Sequence, residues 1–165
     1  AAGTPTNTPY HGTPFSIGQL IQAEDFDLGG EGVAWHDVDA SNNGGQYRST
    51  SVDIEGTSDT GGGYAVAYTR AGEWLSYTLN VGSSGTYTFD ARVANTNPGG
   101  TFHVEVDGVA VTGSVSVPAT GGWQAWRTIS VGGINLGAGT HTVRLVMDSA
   151  ATNGFVGNMN WIRFR

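Results

Sequence analysis

Trp74-Leu75-Ser76-Tyr77-Thr78-Leu79-Asn80-Val81 decides the fold class, because its apolar and polar residues alternate with a period of two. In an extended chain successive side chains point to opposite faces, so Leu75, Tyr77, Leu79 and Val81 share one face and Ser76, Thr78 and Asn80 the other. Thr86–Val93 repeats the pattern, with Tyr87, Phe89, Ala91 and Val93 set against Thr88, Asp90 and Arg92. Phe102, Val104 and Val106 alternate with His103, Glu105 and Asp107, and the run stops at Asp107-Gly108, a pair suited to a hairpin turn. Working outward, strands are expected at Leu20–Ala23, Ala65–Thr69, Val115–Val117, Gln124–Val131, Thr142–Met147 and Asn160–Phe164, which brings the count to nine.

Composition agrees with strands. Glycine contributes 27 residues and charged side chains only 13%. No apolar stripe of helical period and length occurs. Nine short strands joined by glycine-rich crossings predict an all-β, two-sheet antiparallel sandwich of jelly-roll type in preference to a small closed barrel. The 165 residues fit one domain. The Pro/Thr-rich opening reads as a linker stub and lead-in over residues 1–16, with the module at 17–165. Two stretches, Asp27–Gly63 and Asp148–Asn158, are too long for tight turns, and long loops on a rigid sandwich are where binding groups collect.

Several function classes fall away on charge and residue type. A net charge of −7 opposes phosphate backbones and anionic lipid, so neither nucleic acid nor a membrane surface is expected as a partner. Apolar runs are too short to span a bilayer. Without cysteine there is no disulfide, thiolate metal site or cysteine nucleophile. Glycoside hydrolysis needs two carboxyl groups at a set separation. Asp25, Glu31, Asp37, Asp39, Asp53, Glu55, Glu73, Glu105 and Asp148 are scattered, and no local pattern pairs an acid with a base. His11, His36, His103 and His141 lack metal-ligand spacing, and no Gly-x-Ser-x-Gly elbow occurs.

Hard cations are a better prospect, since they take clustered oxygen ligands. Gln22 and Glu24 lie two apart on the first expected strand and face the same way. Asp37-Val38-Asp39-Ala40-Ser41-Asn42-Asn43 is also rich in oxygen ligands, but reads as a solvated Asx turn ahead of a metal site. The aromatic residues Tyr47, Tyr64, Tyr68, Trp74, Trp123, Trp126 and Trp161 mostly sit at strand ends or beside glycines. An exposed ring there suits the apolar C–H face of a pyranose, whose hydroxyls need amide or carboxylate partners at the edge.

Taken in order, these pieces resemble the family 6 carbohydrate-binding modules of secreted polysaccharide-degrading enzymes. The resemblance rests on Gln22-Ala23-Glu24-Asp25-Phe26, on Gly61-Gly62-Gly63-Tyr64 leading to Tyr68-Thr69-Arg70-Ala71-Gly72-Glu73-Trp74, and on Gly85-Thr86-Tyr87. It continues through Thr120-Gly121-Gly122-Trp123-Gln124-Ala125-Trp126, Ala138-Gly139-Thr140-His141 and Asn158-Met159-Asn160-Trp161-Ile162-Arg163-Phe164. The family likeness implies a loop-end site in which Tyr68 and Trp123 clamp a sugar ring, Asn158 bonds its hydroxyls and Glu55 lines the cleft. It implies a structural calcium held by Gln22, Glu24, Asn160 and a main-chain oxygen near Tyr64, with Asn160 standing where many relatives carry aspartate. A second site on the concave sheet face would use Trp74 and Glu105, although Trp74 reads as a packing residue ahead of a ligand-binding one. Gly29–Ser51 stands out as a long insertion able to wall one side of the cleft. The implied protein is secreted, monomeric and non-catalytic, and is covalently linked to a glycoside hydrolase. Its expected ligand is a neutral β-linked polysaccharide, with β-1,3-glucan or an agar-type galactan ahead of xylan. A small jelly-roll glycan-degrading enzyme and an adhesive structural domain are the competing readings.

Overall fold

The computed structural model describes residues 6–165. In chain order the strands are β1 (Phe15–Ser16), β2 (Ile21–Gln22), β3 (Trp35–His36), β4 (Ile54–Gly56), β5 (Tyr64–Val66), β6 (Trp74–Val81), β7 (Gly85–Ala94), β8 (Gly100–Val106), β9 (Val109–Ala110), β10 (Val115–Val117), β11 (Arg127–Leu136), β12 (Gly139–Ser149) and β13 (Asn158–Phe164). A single 3-10 turn, Ala23–Asp25, follows β2. The strands form two sheets of a jelly-roll sandwich. One runs β1-β6-β12-β8-β10, with β3 also on β6 and β9 on β8; the other runs β11-β7-β13-β5-β4, with β2 on β13. Among the described strands only the β1–β6 pairing is parallel. Among the described residues no helix is long and apolar enough to cross a membrane.

The inward faces read from sequence are the buried ones. Leu75, Tyr77, Leu79 and Val81 meet Phe89, Ala91 and Val93 across the sandwich, and Phe89 packs against both Phe102 and Phe164. Tyr77 can be fully buried because its hydroxyl donates to the Ala23 carbonyl at 2.7 Å. Ser76 and Thr78, expected on an open polar face, are buried too. The segment after β2 folds over them, and Asp27 accepts from the Thr78 amide at 3.1 Å and its hydroxyl at 2.7 Å.

Several boundaries differ from expectation, among them that of Ala65–Thr69, where the strand ends at Val66. The first expected strand stops at Gln22, and the chain curls into the 3-10 turn, where the Tyr77 and Arg48 side chains donate to the Ala23 and Glu24 carbonyls. Gln124 lies outside β11, since its Oε1 is taken by the Ser58 amide at 2.9 Å. The segment read as lead-in is bonded to the sandwich from Asn7 onward: Asn7 Nδ2 donates to Asp27 Oδ2, Thr8 pairs with Leu28, His11 lies 2.9 Å from Asp25, and β1 extends the first sheet. Residues 1–5 of that expected linker lie outside the described residues.

Candidate functional site

Four segments meet at one end of the sandwich. β4 carries Glu55, the residues just after β5 carry Ala67 and Tyr68, the turn before β11 carries Trp123, and β13 opens with Asn158. With Phe155 from the loop before β13 they line a cavity of about 170 Å³. The four clamp residues expected from sequence are therefore brought together.

Local bonding explains how each is held. Tyr68 sits at φ 52°, a left-handed conformation that costs a non-glycine residue roughly 1–3 kcal/mol and turns its ring outward, leaving it 40% exposed. Thr69 locks this corner: its hydroxyl donates to the Gly157 carbonyl at 2.6 Å, its carbonyl accepts from the Val156 amide at 2.9 Å, and the Gly157 amide donates back to its hydroxyl at 3.0 Å. The Trp123 turn is tied down by Thr120, which exchanges bonds with the Asn95 main chain and donates to the Gly122 carbonyl. Asn158, only 2% exposed, donates through Nδ2 to Glu55 Oε1 at 3.1 Å and to the Trp123 carbonyl at 3.0 Å. Gln124 Nε2 adds a third contact, to Glu55 Oε1 at 3.3 Å. Both side-chain amides fall on Oε1, so Oε2 remains an acceptor for an incoming hydroxyl. Burial pushes the Glu55 carboxyl above its ordinary range, and the Asn158 and Gln124 bonds oppose that shift.

Phe155 was missed by sequence reasoning. Its ring meets Tyr68 at 5.9 Å and 75°, and Trp123 at 5.8 Å and 84°. The available signal was a lone aromatic between Gly154 and Val156-Gly157, inside a loop already singled out for its length.

A second cavity, about 280 Å³, is lined by Leu20, Gln22, Glu24, Gly61–Gly63, Asn160 and Trp161. Two buried oxygens there, Glu24 Oε2 and Asn160 Oδ1, have no hydrogen-bond partner among the described residues. Asn160 Nδ2 donates to Asp59 Oδ2 at 2.8 Å, which fixes the amide with its oxygen unpartnered. Burial and, secondarily, the neighbouring Asp25 raise the Glu24 carboxyl to about 7, against backbone hydrogen bonds from Glu24 and Tyr64. Orphaned buried oxygens on a carboxylate and an amide are the donor set a hard cation takes, so these residues fit calcium. Tyr64 borders the site through its main chain, which hydrogen-bonds the Glu24 carboxyl, while its ring lies tilted at 34° against Tyr47 with centroids 4.9 Å apart.

The concave face holds Trp74 and Glu105 but does not join them. Arg144 of β12 lies between their strands, with its guanidinium carbon 3.7 Å from the Trp74 ring centroid. Glu105 accepts from His103 Nε2 at 2.9 Å when that nitrogen carries the proton. In the Gly29–Ser51 segment the Asx turn is formed, Asp39 N donating to Asp37 Oδ1 at 2.8 Å. Oxygens of Asp37, Asp39 and Asp53 lie within 4.8 Å of one another, while Asp53 also accepts from the Asn43 amide and side chain.

The family model for carbohydrate binding module (family 6) matches residues 44–165, a span that includes the whole clamp. The chain belongs to carbohydrate-binding module family 6. Among solved structures it resembles the family 6 module of Cellvibrio mixtus lichenase 5A in complex with cellotriose, at 36% identity and TM-score 0.67, over 90% of this chain and 97% of that one. It also resembles a β-1,3-glucan-binding family 6 module of Bacillus halodurans, at 29% identity and TM-score 0.70, over 93% and 99%. Among curated proteins, the clotting factor G alpha subunit of Tachypleus tridentatus is 37% identical over 119 residues, 71% of this chain but 17% of that protein. This family 6 chain thus spans less than a fifth of that curated relative.

Proposed function

We propose that this chain is a non-catalytic module that grips a neutral β-linked glycan at the Tyr68–Trp123 slot, with β-1,3-glucan or an agar-type galactan favoured over xylan. The observation that carries the reading is the convergence of three aromatic rings on one amide–carboxylate pair, buried Asn158 and half-buried Glu55. The rings supply flat apolar surface for the C–H face of a pyranose. Asn158 and Glu55 supply a donor and an acceptor for hydroxyls at its edge. The β-1,3-glucan preference is supported by the Bacillus halodurans neighbour described as binding that polymer, and β-linked glucans generally by the cellotriose complex.

In this reading the parent protein is secreted, and the module holds a covalently attached glycoside hydrolase beside its polymer, raising local concentration without chemistry of its own. Gln22, Glu24, Asn160 and the main chain near Tyr64 hold a structural calcium, which supplies positive charge to two otherwise unpaired buried oxygens. Concave-face binding through Trp74 and Glu105 would require Arg144 to leave the Trp74 ring. The module acts as a monomer. Affinity electrophoresis in gels containing laminarin, agarose or xylan tests the proposal. Retardation in one of the β-linked polymers with no reducing ends released is the expected result; free migration in all of them, or release of reducing ends, overturns it.

A further inference from the structure

We propose that the outer face of the β11-β7-β13 sheet is a further binding surface, for an acidic glycan whose carboxylate or sulfate groups seat on Arg163 and Arg165 while a sugar ring lies on Trp161. This surface shares no residue with the Tyr68–Trp123 slot.

Residues opposite each other on neighbouring strands point to the same side of a sheet. Trp161 lies opposite Arg92, Arg163 opposite Asp90, and Asp90 opposite Ser130. The residues that alternate with them, Phe89, Ala91, Ile162 and Phe164, fill the core, so this set faces outward. Arg165 continues the row beyond β13, its main chain bonded to Thr88. Asp90 faces outward yet is only 1% exposed, because the two arginines close over it. Its Oδ2 accepts from Arg163 Nη2 and from Arg165 Nε, both at 2.7 Å, and its Oδ1 from the Ser130 hydroxyl at 2.6 Å. One carboxylate between two guanidiniums leaves a net positive charge. Each guanidinium has five N–H donors, and Nη1 of both arginines meets no acceptor among the described residues. Their side chains remain 30% and 53% exposed, so the solvent side of the cluster is cationic. Arg92, by contrast, is spent on a bidentate pair with Asp59 and a bond to Thr128.

Elsewhere the chain is acidic, with a net charge of −7. Glu105, Asp107 and Asp148 lie on or beside β8 and β12 of the other sheet, and Glu31, Asp37 and Asp39 in the Gly29–Ser51 segment. At about 0.1 M salt the Debye length is about 10 Å, roughly the spacing of two packed sheets, so a partner on this face meets the arginines with the distant acids screened. Planar guanidiniums held by a shared carboxylate are set to offer parallel N–H groups to an oxyanion. The Trp161 ring, with the Arg163 guanidinium carbon 5.4 Å from its centroid, adds flat surface for the C–H face of a sugar. A protein partner would call for an apolar centre. Here Thr88, Thr128 and Ser130 share the face with the indole, which suits a hydroxyl-rich chain.

The test is isothermal titration of the intact chain at about 0.1 M salt with hyaluronan oligosaccharides, which carry carboxylates, and carrageenan oligosaccharides, which carry sulfates. The two arms tell the oxyanions apart, and binding of either supports the proposal. That binding should persist in saturating laminarin and in Trp123→Ala, and vanish at about 1 M salt, where the Debye length falls to about 3 Å. Replacing both arginines, Arg163→Gln with Arg165→Gln, should weaken it about tenfold or more while laminarin binding is unchanged. Should that variant fail to fold, Arg165→Gln alone, which leaves Asp90 paired with Arg163 and Ser130, carries the comparison. Absence of heat with both acidic glycans overturns the proposal, as does displacement by laminarin or unchanged affinity in the folded arginine variant. Self-association of the wild type in sedimentation, abolished by the same variant, would assign the face to a second copy of the chain and also overturn it.

Discussion

Replacing Asn158 by alanine removes the one side chain that ties three parts of the clamp together. Its Nδ2 holds Glu55 on β4 and the main chain of Trp123 in the neighbouring turn, from a position 2% exposed. A neutral hydrogen bond contributes about 0.5–1.5 kcal/mol net and one to a charged group about 1.5–3, so the pair contributes about 2–4 kcal/mol to folding. For a domain of this size each kcal/mol corresponds to about 2–4 °C in Tm, so thermal unfolding should move down by roughly 5–15 °C. Binding should suffer more than stability, because the same change removes a hydroxyl donor and frees Trp123 from its anchor. Asn158→Asp sharpens the test. It keeps the shape but puts an acceptor 3.1 Å from Glu55 Oε1, where like charges repel, so its binding defect at neutral pH should exceed that of alanine and ease on acidification. Differential scanning calorimetry gives the stability change and isothermal titration with laminarin the affinity. An Asn158→Ala protein with unaltered Tm and unaltered affinity would refute the reasoning.

Other consequences concern the cation cavity and the ion pair beside it. Saturating calcium, at about 100 times its Kd, should stabilise the fold by about 2.7 kcal/mol, a rise of roughly 5–10 °C in Tm that a chelator reverses. Glu24→Gln should abolish most of that rise, and a melting curve indifferent to both calcium and chelator would remove calcium from the account. Hydrogen bonds from Arg92, outweighing burial, hold the Asp59 carboxyl down at about 2, against 3.8 for the free group. Because the folded value is depressed, its contribution of about 2 kcal/mol is present above pH 3.8 and disappears as pH falls through 2. Urea unfolding of wild type and Arg92→Leu should show a gap at pH 5 that narrows toward pH 2; a gap constant across that range contradicts the assignment.

The sandwich was legible because its strands are half-buried and amphipathic, so a period of two survives in Leu75–Val81, Tyr87–Val93 and Phe102–Val106. Edges were harder. Ser76 and Thr78 look solvent-facing until Asp27 is seen folded over them, a contact across 51 residues that periodicity cannot encode. Gln22 and Glu24 were paired for the wrong local reason, a shared strand face, yet line one cavity because the 3-10 turn brings Glu24 round to Asn160. Tyr68, Trp123, Asn158 and Glu55 were readable through motif order. Phe155 was not, because its place depends on the Asn95–Asn153 bond, and Arg144 was not, because its position over Trp74 is a cross-strand contact.

Isothermal titration of the wild type and Trp123→Ala with laminarin, agaro-oligosaccharides, xylan, cello-oligosaccharides and chito-oligosaccharides tests the central claim most directly. The account predicts saturable, micromolar-to-millimolar binding to a β-linked neutral glycan by the wild type. It predicts loss of that binding in a Trp123→Ala protein that still folds. Equal binding by both proteins would contradict the slot as the site, and absence of heat from the wild type with every glycan would contradict the function.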